Sequence, residues 1–199
     1  SVSLMDLSVE AECFGSAIRV SDEEVPTVVG SIVSTEEEAR ALAVPPVGAG
    51  RTGLYIEAIE KAVGLITDRP VFAGVIGPFS LAARLLDVTE IMIYCYEEPD
   101  MVHVLLEKAT QFITEYCKAY KEAGANGVVI AEPRGRAALA RSFGRILRPL
   151  CQADRGCCSG RFVPRHLSQL RQQHHPDDRF HSGNRSALII SATLLIWPK

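Results

Sequence analysis

The stretch Pro70-Val-Phe-Ala-Gly-Val-Ile76, followed at once by Gly77-Pro-Phe-Ser80, decides the fold class of this chain. Its apolar run is continuous and is bounded by Asp-Arg-Pro and Gly-Pro, as in a parallel strand that is covered on both faces. The four residues after it form a strand-to-helix turn, and Ser80 is predicted to cap a helix over 81–86. The stretch therefore predicts an α/β fold.

A second strand is predicted over Gly127-Val-Val-Ile-Ala-Glu-Pro133. Between the two strands, the residues after Glu98-Pro99 repeat apolar side chains at intervals of three and four up to Ala123-Gly124, which is typical of a long amphipathic helix. Strand, helix, strand is the βαβ unit of a parallel sheet. Because chemistry in such folds lies at the carboxyl ends of strands, we expect residues 77–79 and Glu132 on the functional face.

Two further helices are predicted nearer the N-terminus. Residues 34–43 begin with a capping-box pair, Ser34 and Glu37, and stop before Pro45-Pro46. Residues 53–66 carry their apolar side chains largely on one side.

Length limits the architecture to part of a (β/α)8 barrel. The chain has 199 residues, whereas a complete barrel typically needs about 250. Its composition, 47% apolar and 23% charged, is that of a globular protein. Since the sequence starts on Ser1 and not on Met, we also expect that an upstream portion is missing.

Charge divides the chain near Pro133. Residues 1–133 hold 21 Asp and Glu against 9 Lys and Arg, whereas 134–199 hold 3 against 12, and 11 of those 12 are Arg. An Arg-rich tail suggests nucleic-acid binding, but no interleaved aromatic residues support it, so no nucleic-acid partner is predicted.

The six cysteines follow no secretory signal and are too sparse for a disulfide scaffold, so a cytoplasmic location is predicted. Cys13, Cys95 and Cys117 have no His or Cys at ligand spacing and are predicted to be buried structural thiols. The longest apolar run, Ala187 to Trp197, spans 11 residues, well below the roughly 20 that a membrane helix requires. No membrane segment is predicted.

Three blocks carry a resemblance to a known family: Asp6-Leu-Ser-Val-Glu-Ala-Glu-Cys-Phe-Gly15, Val75-Ile-Gly-Pro-Phe-Ser-Leu81 and Ala123-Gly-Ala-Asn-Gly-Val-Val-Ile-Ala-Glu-Pro133. Over residues 1–133 the chain resembles the uroporphyrinogen decarboxylase superfamily. The resemblance implies a (β/α)8 barrel, and it places Asp6 on the catalytic aspartate of the decarboxylases.

Two departures favour the branch of cobalamin-linked methyltransferases. Arg84 stands where decarboxylases have a tyrosine that holds the tetrapyrrole, and Ala131-Glu132-Pro133 replaces their Asp-Ser pair. This branch moves a methyl group from methylcobalamin on a corrinoid protein to a zinc-bound thiol such as coenzyme M. The resemblance therefore implies zinc and methylcobalamin as cofactors, and a thiol or tetrapyrrole substrate with a corrinoid protein as partners.

The branch holds its zinc by a His-x-Cys pair and a later Cys, and no in-frame His-x-Cys exists here, so no metal ligand is assigned. Two alternatives stay open. One is uroporphyrinogen decarboxylation in porphyrin biosynthesis, which needs no metal or cofactor. The other is an inactive, non-catalytic barrel fragment, which we expect for the chain as written.

The tail is interpreted as a second reading frame of the same gene. When permitted codons are read from their second base, residues 166–175 give Ile-Tyr-His-Asn-Cys-Gly-Asn-Asn-Thr-Ile, which contains the missing His-x-Cys. The same one-base shift over residues 134–143 and 178–185 gives further amino-acid sequences that resemble the family. We therefore predict that 134–199 is an out-of-frame tail that packs poorly.

The candidate site residues follow from these arguments. Asp6 and Glu132 are the catalytic candidates, although Asp6 also fits a solvated loop acid and Glu132 a salt bridge within the barrel. The substrate-binding candidates are Gly77 and Pro78, which shape the backbone, Phe79 as a pocket wall, and Arg84. Gly and Pro are also ordinary loop residues, so this assignment leaves both readings open.

Overall fold

The computed structural model describes residues 1–132 and, for its backbone, the segment 191–196. The helices are α1 (Val9–Cys13), α2 (Glu36–Ala41), α3 (Thr52–Leu65), α4 (Pro78–Leu86), α5 (Glu90–Glu97) and α6 (Pro99–Glu122). The strands are β1 (Ala17–Arg19), β2 (Thr27–Val29), β3 (Phe72–Ile76), β4 (Gly127–Glu132) and β5 (Ser191–Ile196).

Strands β3 and β4 pair in parallel, with Phe72 opposite Gly127 and Ile76 opposite Ala131, and α4, α5 and α6 connect them. The N-terminal residues extend this sheet, because Val2 forms a parallel bridge with Phe72. The predicted α/β class and the βαβ unit are therefore confirmed.

On its other edge β4 pairs with β5, and this pair is antiparallel, with Glu132 opposite Ser191. A (β/α)8 barrel has parallel neighbours throughout, so β5 does not occupy the place of a barrel strand. The described residues form an open sheet and not a closed barrel. The backbone of 191–196 is paired although it belongs to the predicted tail; residues 133–190 and 197–199 lie outside the described part, so the packing of the tail stays a prediction.

Two apolar clusters hold the layers together. The first lies between the sheet and α6 and includes Val75, Ile76, Phe112 and Tyr116. The second joins α4, α5 and α6. The predicted stripe of α6 is confirmed, because its buried residues recur at the expected intervals: Met101, Val102, Leu105, Leu106, Ala109, Phe112, Ile113, Tyr116 and Tyr120. No helix in the described residues is long and apolar enough to cross a bilayer.

The cap of α2 differs from the prediction by one residue. Thr35, and not Ser34, is the N-cap: its hydroxyl accepts from the amide of Glu38, whose carboxylate accepts in turn from the amide of Thr35. The prediction of Ser34 with Glu37 was wrong because two adjacent hydroxyl residues precede three consecutive glutamates, so the sequence offers both registers.

The predicted cap of α4 was also wrong. The helix begins at Pro78, Gly77 is its N-cap, and Ser80 lies inside the first turn. Proline is favoured at this first position because its missing N–H would have no partner there in any case. The sequence prediction also omitted α1, α5 and the short β1–β2 hairpin.

Candidate functional site

The candidate site lies at the carboxyl end of β3, where the chain turns into α4. The two edges of β3 have different neighbours: residues 1–3 lie along one edge and β4 along the other. In parallel α/β folds this end of the sheet carries the chemistry. Acidic side chains from α1 and β4 reach both sides of it.

Glu132, the last residue of β4, is 7% exposed. Its Oε1 accepts a hydrogen bond from the Ser80 hydroxyl. Its Oε2 is buried and has no hydrogen-bond partner within the described part of the chain. Burial raises the pKa of Glu132 to about 7, and the Ser80 hydroxyl and the nearby amides of Phe79 and Ser80 oppose that rise. Glu132 therefore exchanges a proton near neutral pH.

Gly77 lies directly against the carboxyl group of Glu132. Its N–H donates to the carbonyl of Ala131 at 2.7 Å, which draws the turn against β4. A Cβ built on Gly77 would lie 2.0 Å from Oε2 of Glu132, far inside any van der Waals contact. The sequence prediction placed Gly77 and Glu132 on one face, and the structure brings them into contact.

Glu10, on α1, is a site residue that the sequence analysis missed. It is 3% exposed, and its Oε1 accepts from the amide of Ile76, the last residue of β3, at 3.1 Å. Burial raises the pKa of Glu10 to about 7; the Ile76 amide and the charge of Arg84 lower it, and the charge of Asp6 raises it. Its position in the first resemblance block, four residues after Asp6, was the available signal.

Asp6 follows the segment that bridges β3 and precedes α1. Its Oδ1 accepts from the amide and the hydroxyl of Ser8 at 2.9 and 2.7 Å, and its Oδ2 pairs with Arg51 at 2.5 Å. Burial raises the pKa of Asp6, but the bonds from Ser8 and Arg51 outweigh it and leave the pKa below its usual value. Asp6 is therefore not the solvated loop acid of the alternative reading, and its catalytic role stays a prediction.

Arg51, at the start of α3, was also missed by the sequence analysis. Besides Asp6 it pairs with Glu12 and donates to the Ser8 hydroxyl at 2.9 Å. One guanidinium thus joins α3 to α1 and to the loop that carries Asp6. No sequence signal marks this contact, because its partners lie about forty positions away along the chain.

The other predicted substrate-binding residues are all on α4. Pro78 is buried in its first turn, and Arg84 is half-buried close enough to Glu10 to lower its pKa. Phe79 is 3% exposed and packs in the apolar cluster that α4 shares with α6. Their roles in substrate binding, including Phe79 as a pocket wall, stay predictions.

The described residues do not form a binding site for a zinc ion. Among residues 1–132, no three His, Cys, Asp or Glu side chains are grouped as a metal site requires. Cys13, Cys95 and Cys117 form no disulfide among the described residues, and each is half-buried and not fully buried as predicted. The Cys13 thiol lies near the carbonyl of Ala49. The histidines and cysteines after Pro133 lie outside the described residues.

Comparisons with known proteins identify the family of this chain. The profile of the uroporphyrinogen decarboxylase (URO-D) family matches residues 1–152, so the match runs past Pro133. "Methylcobamide:CoM methyltransferase MtbA" from Methanosarcina acetivorans is 32% identical over 135 residues, which are 64% of this chain and 38% of that protein. "Uroporphyrinogen decarboxylase" from Burkholderia pseudomallei is 29% identical over 154 residues, 71% of this chain and 39% of that protein.

Among solved structures, a "methyltransferase from Methanosarcina mazei" superimposes with a TM-score of 0.65 and 27% identity, over 76% of this chain and 46% of that chain. The fold is thus that of a class of α/β proteins that includes a methyltransferase of known structure. The chain belongs to the uroporphyrinogen decarboxylase family. It spans less than half of the length of the curated relatives that it matches.

Proposed function

We propose that this chain supplies part of the substrate site of a corrinoid-dependent methyltransferase, which moves a methyl group from methylcobalamin to a thiol. The observation that carries the proposal is the contact of Glu132 with Ser80 and Gly77 at the end of β3. The decarboxylase branch has an Asp-Ser pair at the end of this strand, and its tetrapyrrole-holding tyrosine is replaced by Arg84. The identity to methyltransferases of Methanosarcina supports the same branch.

The described residues contribute binding and proton exchange. When a thiol accepts a methyl group, its proton must leave, and a carboxyl group with a pKa of about 7 is suited to accept it at neutral pH. Glu132 is such a group, and its Oε2 has no hydrogen-bond partner among the described residues. Zinc activation of the thiol has no ligands in residues 1–132, so no step through a metal is derived.

Uroporphyrinogen decarboxylation is the second candidate, and Asp6 is the observation that favours it. Asp6 matches the catalytic aspartate of the decarboxylases, and its lowered pKa keeps it ionised at neutral pH, ready to accept hydrogen bonds from pyrrole N–H groups. The match to decarboxylases from Burkholderia also covers more of the chain than the match to MtbA.

One pair of assays separates the candidates. The purified chain is incubated with methylcobalamin and coenzyme M, with and without added zinc, and the loss of methylcobalamin absorbance is followed. In parallel it is incubated anaerobically with uroporphyrinogen, and the products are separated by chromatography. Thiol-dependent demethylation that falls in Glu132→Gln and persists in Glu107→Gln, on the exposed face of α6, would support the proposal. Metal-free decarboxylation would overturn it in favour of the second candidate, and inactivity in both assays would favour the non-catalytic fragment.

A further inference from the structure

Glu10 occupies a place where the neighbouring chain has left the edge of β3. Along this edge the amide of Gly74 donates to the hydroxyl of Ser3 at 3.0 Å. The next amide on the same edge, that of Ile76, has no backbone acceptor and donates to Oε1 of Glu10 instead. The side chain from α1 thus completes the strand edge where residues 1–3 no longer accompany it.

This contact uses only half of the carboxyl group. Oε2 of Glu10 is buried and has no hydrogen-bond partner among residues 1–132 or the backbone of 191–196. Leaving a buried carboxyl oxygen without a partner is unfavourable, so such an atom in a folded protein calls for an explanation, and contact with a ligand is one.

Glu132 repeats the arrangement on the opposite edge. There the amide of Gly77 donates to Ala131, the Glu132 carboxyl lies against Gly77, and its Oε2 also has no partner within the described residues. Two carboxyl groups, both more than nine-tenths buried, therefore lie on either side of the end of β3. In each, one oxygen accepts a hydrogen bond and the other has no partner among the described residues.

We propose that Glu10 is a substrate-contacting residue, whose Oε2 accepts a hydrogen bond from a weakly acidic X–H group of the substrate, on the opposite side of β3 from Glu132. The inference deepens the proposed function and rests on it. A thiol S–H, which is a weak donor, and a pyrrole N–H share the required chemistry, and either can donate to an ionised carboxyl oxygen. A thiol carries a single S–H, so it donates to Glu10 or to Glu132 and not to both at once. Arg84 lies near the same carboxyl and stabilises its ionised form.

Glu10→Gln tests the inference without removing the structural contact. The glutamine keeps a carbonyl oxygen for the Ile76 amide, while its NH2 group replaces Oε2 and cannot accept a hydrogen bond. Binding of coenzyme M and of uroporphyrinogen to the full chain is measured by calorimetry at pH 8, and unfolding by urea shows that each variant folds. Glu107→Gln is the exposed control, and Glu132→Gln is the comparison within the site.

The expected result is that Glu10→Gln unfolds like the parent chain and binds one of the two probes about tenfold or more weakly. The probe affected identifies the source of the X–H group. Unchanged affinity in Glu10→Gln, with weakened affinity in Glu132→Gln, would overturn the inference and leave the proposed function standing. Binding of neither probe by the parent chain would overturn both.

Discussion

Oε2 of Glu132 occupies the space that a side chain on Gly77 would need, with 2.0 Å between that oxygen and an added Cβ. Gly77→Ala is therefore expected to destabilise the protein by about 1–3 kcal/mol, because either the turn or the carboxyl group must move. Urea unfolding measures the loss. In a Glu132→Ala background the same substitution is expected to cost clearly less, since the clashing oxygen is gone.

Gly64 provides the control for this prediction. It lies within α3, and a Cβ there would meet no described atom within 4 Å outside its chain neighbours and the backbone of its own helix. Gly64→Ala should stabilise the protein by about 0.5–1 kcal/mol, because alanine is the better helix former. Equal losses at Gly77 in the two backgrounds would show that the contact with Glu132 is not the reason for the glycine.

Arg51 is expected to contribute more to stability than an exposed arginine does. Its partner Asp6 has a side-chain exposure of 8% and Arg51 itself 27%, and three acceptors share the guanidinium. Arg51→Met, which keeps the aliphatic stem, should cost about 1–2 kcal/mol in urea unfolding. Arg69→Met is the control. Within the described part of the chain Arg69 pairs with its sequence neighbour Asp68, both side chains are 63% exposed, and the expected loss is near zero.

Stability is expected to fall as the pH rises from 5 to 8. Glu10 and Glu132 have pKa values of about 7 in the folded chain against an ordinary value of 4.5, so the folded state binds more protons than the unfolded state within this window. Each of the two pKa shifts corresponds to about 3 kcal/mol of the free energy of unfolding, and this contribution is fully lost above pH 7. The opposite contribution of Asp6, whose pKa is lowered, changes only below its ordinary value of 3.8 and leaves the window unaffected.

Urea unfolding at pH 5 and pH 8 measures how much the free energy of unfolding falls with pH. In the double variant Glu10→Gln/Glu132→Gln this fall should be much smaller. The pKa of about 7 for Glu10 already includes the charge of Asp6, which raises it, and the charge of Arg84, which lowers it. Neither charge therefore reverses the expected fall of stability with rising pH. A parent chain that is more stable at pH 8 than at pH 5 would show that these carboxyl groups are not held in their protonated forms by burial.

The cap of α2 distinguishes two adjacent hydroxyl residues. Thr35→Ala removes the hydroxyl that accepts from the Glu38 amide, and a loss of about 1 kcal/mol is expected. Ser34→Ala should cost little, because Ser34 contributes its backbone amide, which donates to Glu38 at 2.7 Å and is retained. The reverse order of the two losses would restore the cap predicted from the sequence.

The reading-frame hypothesis predicts a lost or gained base near codon 133. Sequencing the gene on both strands tests it directly. If the frame is restored, the product should contain the His-x-Cys pair and bind zinc, which metal analysis after purification would measure. An uninterrupted gene around codon 133 would refute the hypothesis.

Much of the fold could be predicted from the local pattern of apolar residues. The apolar stripe of α6 and the continuous apolar run of β3 depend on residues close together in sequence, so periodicity was enough to predict them. The Thr35 cap was misassigned because neighbouring residues of the same type compete for it. Helix α1 was missed because its five residues are too few to show a period.

The sequence by itself determined that a strand ends at Ile76, that a turn with glycine follows, and that Glu132 closes the next strand, because each is a local pattern of burial and turn chemistry. Only the tertiary structure decided that Glu10 would reach Ile76, 66 positions away, and that Glu132 would fill the space beside Gly77. An acidic residue in a sequence gives no sign of its burial. Its proton affinity depends on which amides, hydroxyls and charges the fold places around it.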